Sequence, residues 1–224
     1  MQATKIDWAD CVCNPVVGCT FGCNFCYARK MNARFGWIPK FDEPQFFPER
    51  LKALYSKTPK IIFMDSMSDI ADWKQEWTDQ IYRACEDNPR HTYLFLTKRP
   101  DWYLWGENRL KFSFYYGVSA INQIQYDSGY IAIGKMPNWA KTFISIEPIH
   151  EPIAVRHPWV FGWVIIGAET GNRKGKVVPE KKWIDDIVTN CQRYKIPVFM
   201  KESLRALMGA DFIQQYPWKE GEAT

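Results

Sequence analysis

The chain has 224 residues and a mass of 26.4 kDa, room for one ordinary domain, since single cores commonly reach about 200 to 250 residues. Hydrophobic residues make up 46% and charged residues 24%, which excludes wholesale disorder and a fibrous repeat. The formal charge of +4, from 29 basic and 25 acidic residues, permits an anionic partner without identifying one.

In chain order, a first strand is predicted near Asp10 to Val17, then apolar, β-branched or aromatic runs at Lys60–Met64, Thr92–Leu96, Phe114–Val118, Thr142–Ile146, Trp163–Ile166 and Pro197–Met200. Helical spacing appears between them. Thr78 to Cys85 places Ile81, Tyr82 and Cys85 on one face, and Pro179 to Tyr194 does the same for Trp183, Ile184, Ile187, Val188 and Cys191 after a proline near the first turn. The longest apolar run, Trp159 to Ala168, contains Gly162 and Gly167 and is too short for a membrane span. The amino terminus lacks the apolar stretch of a secretory signal, so a soluble, cytoplasmic protein is expected. Strands alternating with helices through short loops imply parallel βαβ units. The expected fold is α/β, an incomplete (β/α) barrel of six or seven parallel strands over residues 1–213; periodicity equally permits an open doubly wound sheet. A polar tail from Gln214 to Thr224 is expected to fray.

Five of the seven cysteines, Cys11, Cys13, Cys19, Cys23 and Cys26, crowd one short stretch, while Cys85 and Cys191 stand alone. A crowded, odd-numbered set in a reducing compartment points to metal rather than to a disulfide scaffold. Cys19, Cys23 and Cys26 form a C-x3-C-x2-C spacing. Three such thiolates can hold three irons of a 4Fe-4S cluster and leave the fourth iron open. A structural zinc site completed by Cys11 or Cys13 is the alternative, although the only histidines are His91, His150 and His157 and there is no second cysteine knuckle. Spaced by two on a strand, Cys11 and Cys13 share a face, as core cysteines do.

This spacing, with Phe25 immediately before the third cysteine, resembles the radical S-adenosylmethionine (SAM) superfamily. Asn14 to Cys19, Met64 to Asp69, Phe95 to Pro100, Gly117 to Ser119, Ser145 to Pro148 and Ile166 to Gly171 look like its short, phage-associated three-cysteine-motif branch, and these segments span nearly the whole chain. Cys11 and Cys13 depart from the branch, where Thr and Trp are expected, and inherit no role. The resemblance implies an enzyme with Cys19, Cys23 and Cys26 on a 4Fe-4S cluster, SAM chelating the open iron, and an electron donor such as flavodoxin or ferredoxin. Reductive cleavage of SAM would yield a 5′-deoxyadenosyl radical that takes hydrogen from a substrate.

A barrel's active site lies at the carboxyl ends of its strands, which selects the remaining candidates. Ser66, Ser68 and Asp69 stand where the superfamily binds the SAM amino group, or they cap the next helix. Lys98 would meet the SAM carboxylate or an anionic substrate, with Arg99 beside it, unless both belong to a solvated basic loop. Ser119 would bond SAM or make a turn. Glu147 and Glu169 would contact ligand or form structural ion pairs, while Lys201 and Glu202 favour neither role. Phe25 and Tyr27 flank the third cysteine on the adenine side that the resemblance implies. No residue is singled out as catalytic. Eleven Trp residues and 16% aromatics, with Trp37, Trp73, Trp77, Trp102, Trp105 and Trp139 outside the predicted strands, serve helix packing or an interface; beside Lys and Arg they also suit a nucleotide, nucleobase-derived or DNA substrate. The rival classes are a noncatalytic iron-sulfur or zinc binding module and a SAM-dependent reader of nucleic acid.

Overall fold

A computed structural model describes residues 2–4, 6–105 and 110–218. In chain order the strands and helices are β1 (Gln2–Ala3), β2 (Cys11–Val12), β3 (Val16–Val17), α1 (Tyr27–Phe35), β4 (Gln45–Phe46), β5 (Ile61–Phe63), α2 (Gln75–Glu86), β6 (Thr92–Thr97), β7 (Phe114–Ala120), α3 (Gln123–Ile133), β8 (Lys141–Ile146), β9 (Val164–Ile166), α4 (Lys181–Arg193), β10 (Val198–Met200) and α5 (Arg205–Met208). The main sheet has the order β1-β2-β5-β6-β7-β8-β9-β10. Its seven parallel strands among the described residues, β2 and β5 to β10, make the fold an α/β incomplete (β/α) barrel. A doubly wound sheet reverses its strand order at a switch point. Here order in space follows order in sequence, and the barrel expectation holds.

Two compact units divide the chain: Met1–Thr97 with Ser113–Tyr115, and Lys98–Phe112 with Tyr116–Thr224. In the first, Cys11 pairs with Ile62 and Ile61 with Thr92 in parallel register. The strand residues Ile62, Phe63, Leu94 and Phe95 are buried, as covered parallel strands require. α2 buries Ile81, Tyr82 and Cys85, the face that the spacing predicts. Tyr82, Tyr93, Phe95 and Phe114 meet edge-on or tilted, with ring centroids 5.2 to 5.5 Å apart, an arrangement worth about 0.5 to 1.5 kcal/mol per pair beyond simple burial.

The single first strand expected over Asp10 to Val17 is instead two. β2 joins the main sheet, whereas β3 pairs antiparallel with β4 in a separate two-stranded ribbon. Pro15 lies between them, has no N–H for a ladder, and uses its carbonyl to accept from Phe47 N.

In the second unit β8, β9 and β10 run parallel in register, Ile144 beside Val164 and Val164 beside Val198. Gly117 lies under the Phe143 ring: a Cβ there would come within 2.2 Å of it, so any larger residue would displace the ring. α4 buries Ile184, Ile187 and Cys191 and leaves Trp183 and Val188 half-buried on its flanks. The predicted tail is anchored at its start. Gln215 N donates to Val198 O at 2.9 Å, Met200 N donates to Ile213 O at 2.9 Å, and Trp163 Nε1 donates to Gln215 O at 2.8 Å. An edge strand offers unpaired backbone groups, which this segment satisfies; residues 219–224 of the expected tail lie outside the described residues. Among the described residues no helix is long and apolar enough to cross a membrane.

Candidate cysteine centre and strand-end pairs

The cysteine motif runs from β3 into α1, and the first unit holds it at several points. Gly18 has φ of 114°, and a Cβ there would meet Pro44 Cα at 2.7 Å and Phe41 O at 2.9 Å. Only glycine suits that position. Beyond it, Cys19 N donates to Phe41 O at 2.7 Å. The Asp72 carboxylate accepts from Thr20 N at 2.9 Å and from Thr20 Oγ1 at 2.7 Å. Tyr27 donates its hydroxyl to Ser66 O at 2.6 Å, so the far end of the motif is tied to the segment after β5.

Cys19, Cys23 and Cys26 are half-buried, whereas Cys11, Cys13, Cys85 and Cys191 are buried, and none of the seven forms a disulfide. Phe21 N donates to Cys19 Sγ at 3.4 Å and Arg29 N to Cys26 Sγ at 3.3 Å. In the second contact Cys26 serves as the N-cap of α1, its sulfur taking the place of the usual capping oxygen. The four buried cysteines differ. Burial pushes the Cys13 thiol up to about 11 and the Cys191 thiol to about 12, and also raises Cys11 and Cys85. Cys13 donates its S–H to Arg50 O at 3.7 Å. Core thiols of this kind make poor zinc ligands, because a metal binds the thiolate.

Among the described residues no three His, Cys, Asp or Glu side chains stand close enough to hold a metal ion as the side chains are turned. The trio nevertheless fits an iron-sulfur donor set in its chemistry: three accessible thiols on one fastened loop, two of them already accepting backbone N–H groups. Cys19 and Cys26 also pack against the cluster of Val17, Ala28, Ile38, Phe41 and Met67, and Phe25 is half-buried.

The polar segment after β5 is built around Asn14, whose Oδ1 accepts from Ser66 Oγ and Met67 N, both at 3.0 Å. Ser68 Oγ accepts from Trp73 Nε1 at 3.0 Å. Asp69, 4% exposed, accepts through Oδ1 from Ala71 N at 3.0 Å and from Thr97 Oγ1 at 2.6 Å. It therefore caps the short 3₁₀ turn Ile70–Asp72. Asp65 accepts from Leu96 N with both oxygens, at 3.2 and 3.0 Å. Burial pushes its carboxyl well above the usual range and the Asp69 charge adds to this, against the Leu96 N–H.

The second unit assembles its candidates into pairs. Lys98 Nζ donates to Ser119 Oγ at 2.5 Å, joining two of the predicted residues just beyond β6 and near the end of β7. Glu147, after β8, pairs with Lys201, after β10, across the end of the intervening β9. That reach depends on Gly167: a Cβ there would stand 3.0 Å from Lys201 Cδ and 3.2 Å from Glu147 Cγ. Glu169, whose side chain is 5% exposed, receives Arg173 as a fork at 2.6 and 2.7 Å, and His150 Nε2 lies 3.5 Å away. The Arg173 hydrogen bonds hold its carboxyl below the usual range. Glu202 pairs with Arg205 at the surface.

Asn14, Asp72, Thr97 and Arg173 were not among the predicted residues. Asp72 and Thr20 lie 52 positions apart, and no local spacing announces such a contact.

In the comparison with protein families, the model for "Protein of unknown function (DUF5131)" matches residues 3–207. No curated protein and no solved structure matches the chain. With its cysteine loop and strand-end pairs inside the matched span, this chain belongs to the DUF5131 family.

Proposed function

We propose that the chain is a radical SAM enzyme of the cytoplasm in which Cys19, Cys23 and Cys26 hold a 4Fe-4S cluster. One observation carries the reading. These three thiols, alone among the seven, are accessible and lie on a loop fastened through Gly18, Thr20 and Tyr27, whereas the other four are buried. When bound, the cluster would supply one electron, from a flavodoxin- or ferredoxin-type donor, to the SAM sulfonium, whose sulfur to C5′ bond breaks to give methionine and a 5′-deoxyadenosyl radical that takes hydrogen from the substrate.

The chain's own residues bind and position. Asp69 offers a carboxylate to the SAM ammonium group, with Thr97 fixing its orientation through the 2.6 Å hydrogen bond. Ser66 and Ser68 shape the same segment, and Phe25 and Tyr27 lie beside the third cysteine, where an adenine would pack. In the second unit Lys98, oriented by Ser119, offers a cation to a carboxylate or phosphate. The Glu147–Lys201 and Glu169–Arg173 pairs hold charges of both signs near strand ends, where a polar substrate exchanges partners with them. The substrate class in this reading is a nucleotide, a nucleobase or DNA.

Anaerobic reconstitution tests it. About four irons per chain are expected, lost in Cys19→Ala, Cys23→Ala and Cys26→Ala but retained in Cys85→Ala and Cys191→Ala, with 5′-deoxyadenosine released from SAM under dithionite. One colourless zinc, or full iron retention without any of the three cysteines, would overturn the assignment.

A further inference from the structure

Helix α1 is inverted with respect to its own chemistry. Its buried residues are Ala28 and Asn32, while Tyr27, Met31 and Phe35 are 49%, 38% and 54% exposed. Positions 27, 31 and 35 follow one another at helical spacing, and Lys30 and Arg34, also exposed, fall between them on the same face. A helix of a globular protein ordinarily turns its large apolar residues inward; this one presents them to solvent. Trp37 continues the stripe: its ring stacks on Phe35 with centroids 5.3 Å apart and 23° between planes, and the Arg34 guanidinium stands 5.2 Å from the Phe35 ring centre. Phe21, on the cysteine loop, is 38% exposed. An aromatic stripe of this kind, left open by the fold, marks a binding surface.

Charge decides the occupant. Residues 11–41 contain four cations, Arg29, Lys30, Arg34 and Lys40, and no Asp or Glu. Lys30 and Arg34 form a like-charged i,i+4 pair, which weakens an isolated helix unless an anion lies between the two. Two cations, Lys30 and Arg34, beside the stacked rings of Phe35 and Trp37 on one exposed face match a polyanion that carries its own flat rings. Acidic protein surfaces supply the charge but not the repeating stack, whereas unpaired nucleobases supply both. We infer that the exposed face of α1, from Tyr27 to Trp37, is a track for single-stranded nucleic acid, with bases stacking on Phe35 and Trp37 and phosphates meeting Lys30 and Arg34. That the track leads a substrate toward the cysteine loop rests on the radical SAM reading; the binding itself does not.

The test measures fluorescence anisotropy of a labelled single-stranded mixed-sequence 15-mer, as DNA and as RNA, on the full chain across a salt series. Neither iron nor SAM is needed, so a failure here is separate from a failure of the deoxyadenosine assay. Phe35→Ala and Trp37→Ala should each weaken binding about 5- to 100-fold with little change in salt slope, the loss of one stacked base. Lys30→Gln with Arg34→Gln should flatten the slope of log K against log salt by about 1.4, two phosphate contacts at roughly 0.7 each. Thermal unfolding of each variant checks the fold, and because the two pairs of substitutions alter different observables, misfolding of one leaves the other decisive. Absence of binding, equal affinity for duplex of the same sequence, or equal competition by poly-L-glutamate, as a partner surface of acidic protein would give, overturns the proposal. So does binding that ignores all four substitutions.

Discussion

Asp69 can serve the fold, the ligand or both, and replacing it by Asn separates the two. The structure gives its Oδ1 two donors, Ala71 N at 3.0 Å and Thr97 Oγ1 at 2.6 Å, at a position only 4% exposed. Asp69→Ala removes the cap, at about 1 kcal/mol, and the hydrogen bond from Thr97 Oγ1, at about 0.5 to 1.5 kcal/mol, so a loss of roughly 1.5 to 2.5 kcal/mol in unfolding free energy is expected. Asp69→Asn keeps an oxygen in the same place for both donors and should stay within about 1 kcal/mol of the parent chain. What Asn cannot keep is the negative charge. If Asp69 meets the SAM ammonium group, loss of a charge-assisted hydrogen bond worth about 1.5 to 3 kcal/mol weakens SAM binding by roughly ten- to hundredfold. Urea unfolding under reducing conditions gives the stability difference, and calorimetric titration of cluster-loaded protein gives the affinity difference. SAM affinity unchanged in a stably folded Asp69→Asn variant would refute the ligand role and leave Asp69 as a cap.

Two further outcomes follow from the buried titratable groups. Brief treatment of the reduced, metal-free chain with N-ethylmaleimide at pH 7.5 should label Cys19, Cys23 and Cys26 well before Cys11, Cys13, Cys85 and Cys191, because the latter are buried and burial holds their thiols protonated; peptide mass spectrometry showing Cys13 labelled as fast as Cys26 would contradict it. Asp65 has a folded-state pKa raised mainly by burial, so the folded chain binds the extra proton and stability falls as pH rises above the ordinary Asp value of about 3.9 toward the raised one. Asp65→Asn, which retains an acceptor for Leu96 N, should flatten that decline in urea titrations carried upward from about pH 4, and an unchanged slope would remove Asp65 as its source.

Unlike the unpredicted ribbon strand β4 (Gln45–Phe46) before them, the strands from β5 to β10 were legible, because each is a short, mostly buried run rich in β-branched and aromatic residues, such as Val164–Ile166 and Val198–Met200, and burial is what such a run is for. The first strand was misread because hydrophobicity continues through Pro15, whereas the ladder depends on N–H groups that proline lacks. α1 offered no inward-facing apolar stripe to read; its inward face is Ala28 and Asn32, and its cap is a cysteine.

By itself, the amino-acid sequence determined the alternation of strands and helices and the spacing of Cys19, Cys23 and Cys26, since both are properties of neighbours along the chain. It also marked the positions just past the strand ends where polar residues collect. Only the tertiary structure decided which of those residues meet: Asp72 with Thr20, Tyr27 with the Ser66 carbonyl, Thr97 with Asp69, Lys98 with Ser119, and Glu147 with Lys201 over Gly167. The physical reason is range. Periodicity and turn chemistry act over a few residues, while these pairs lie 21 to 54 positions apart and form only when parallel strands bring their carboxyl ends side by side.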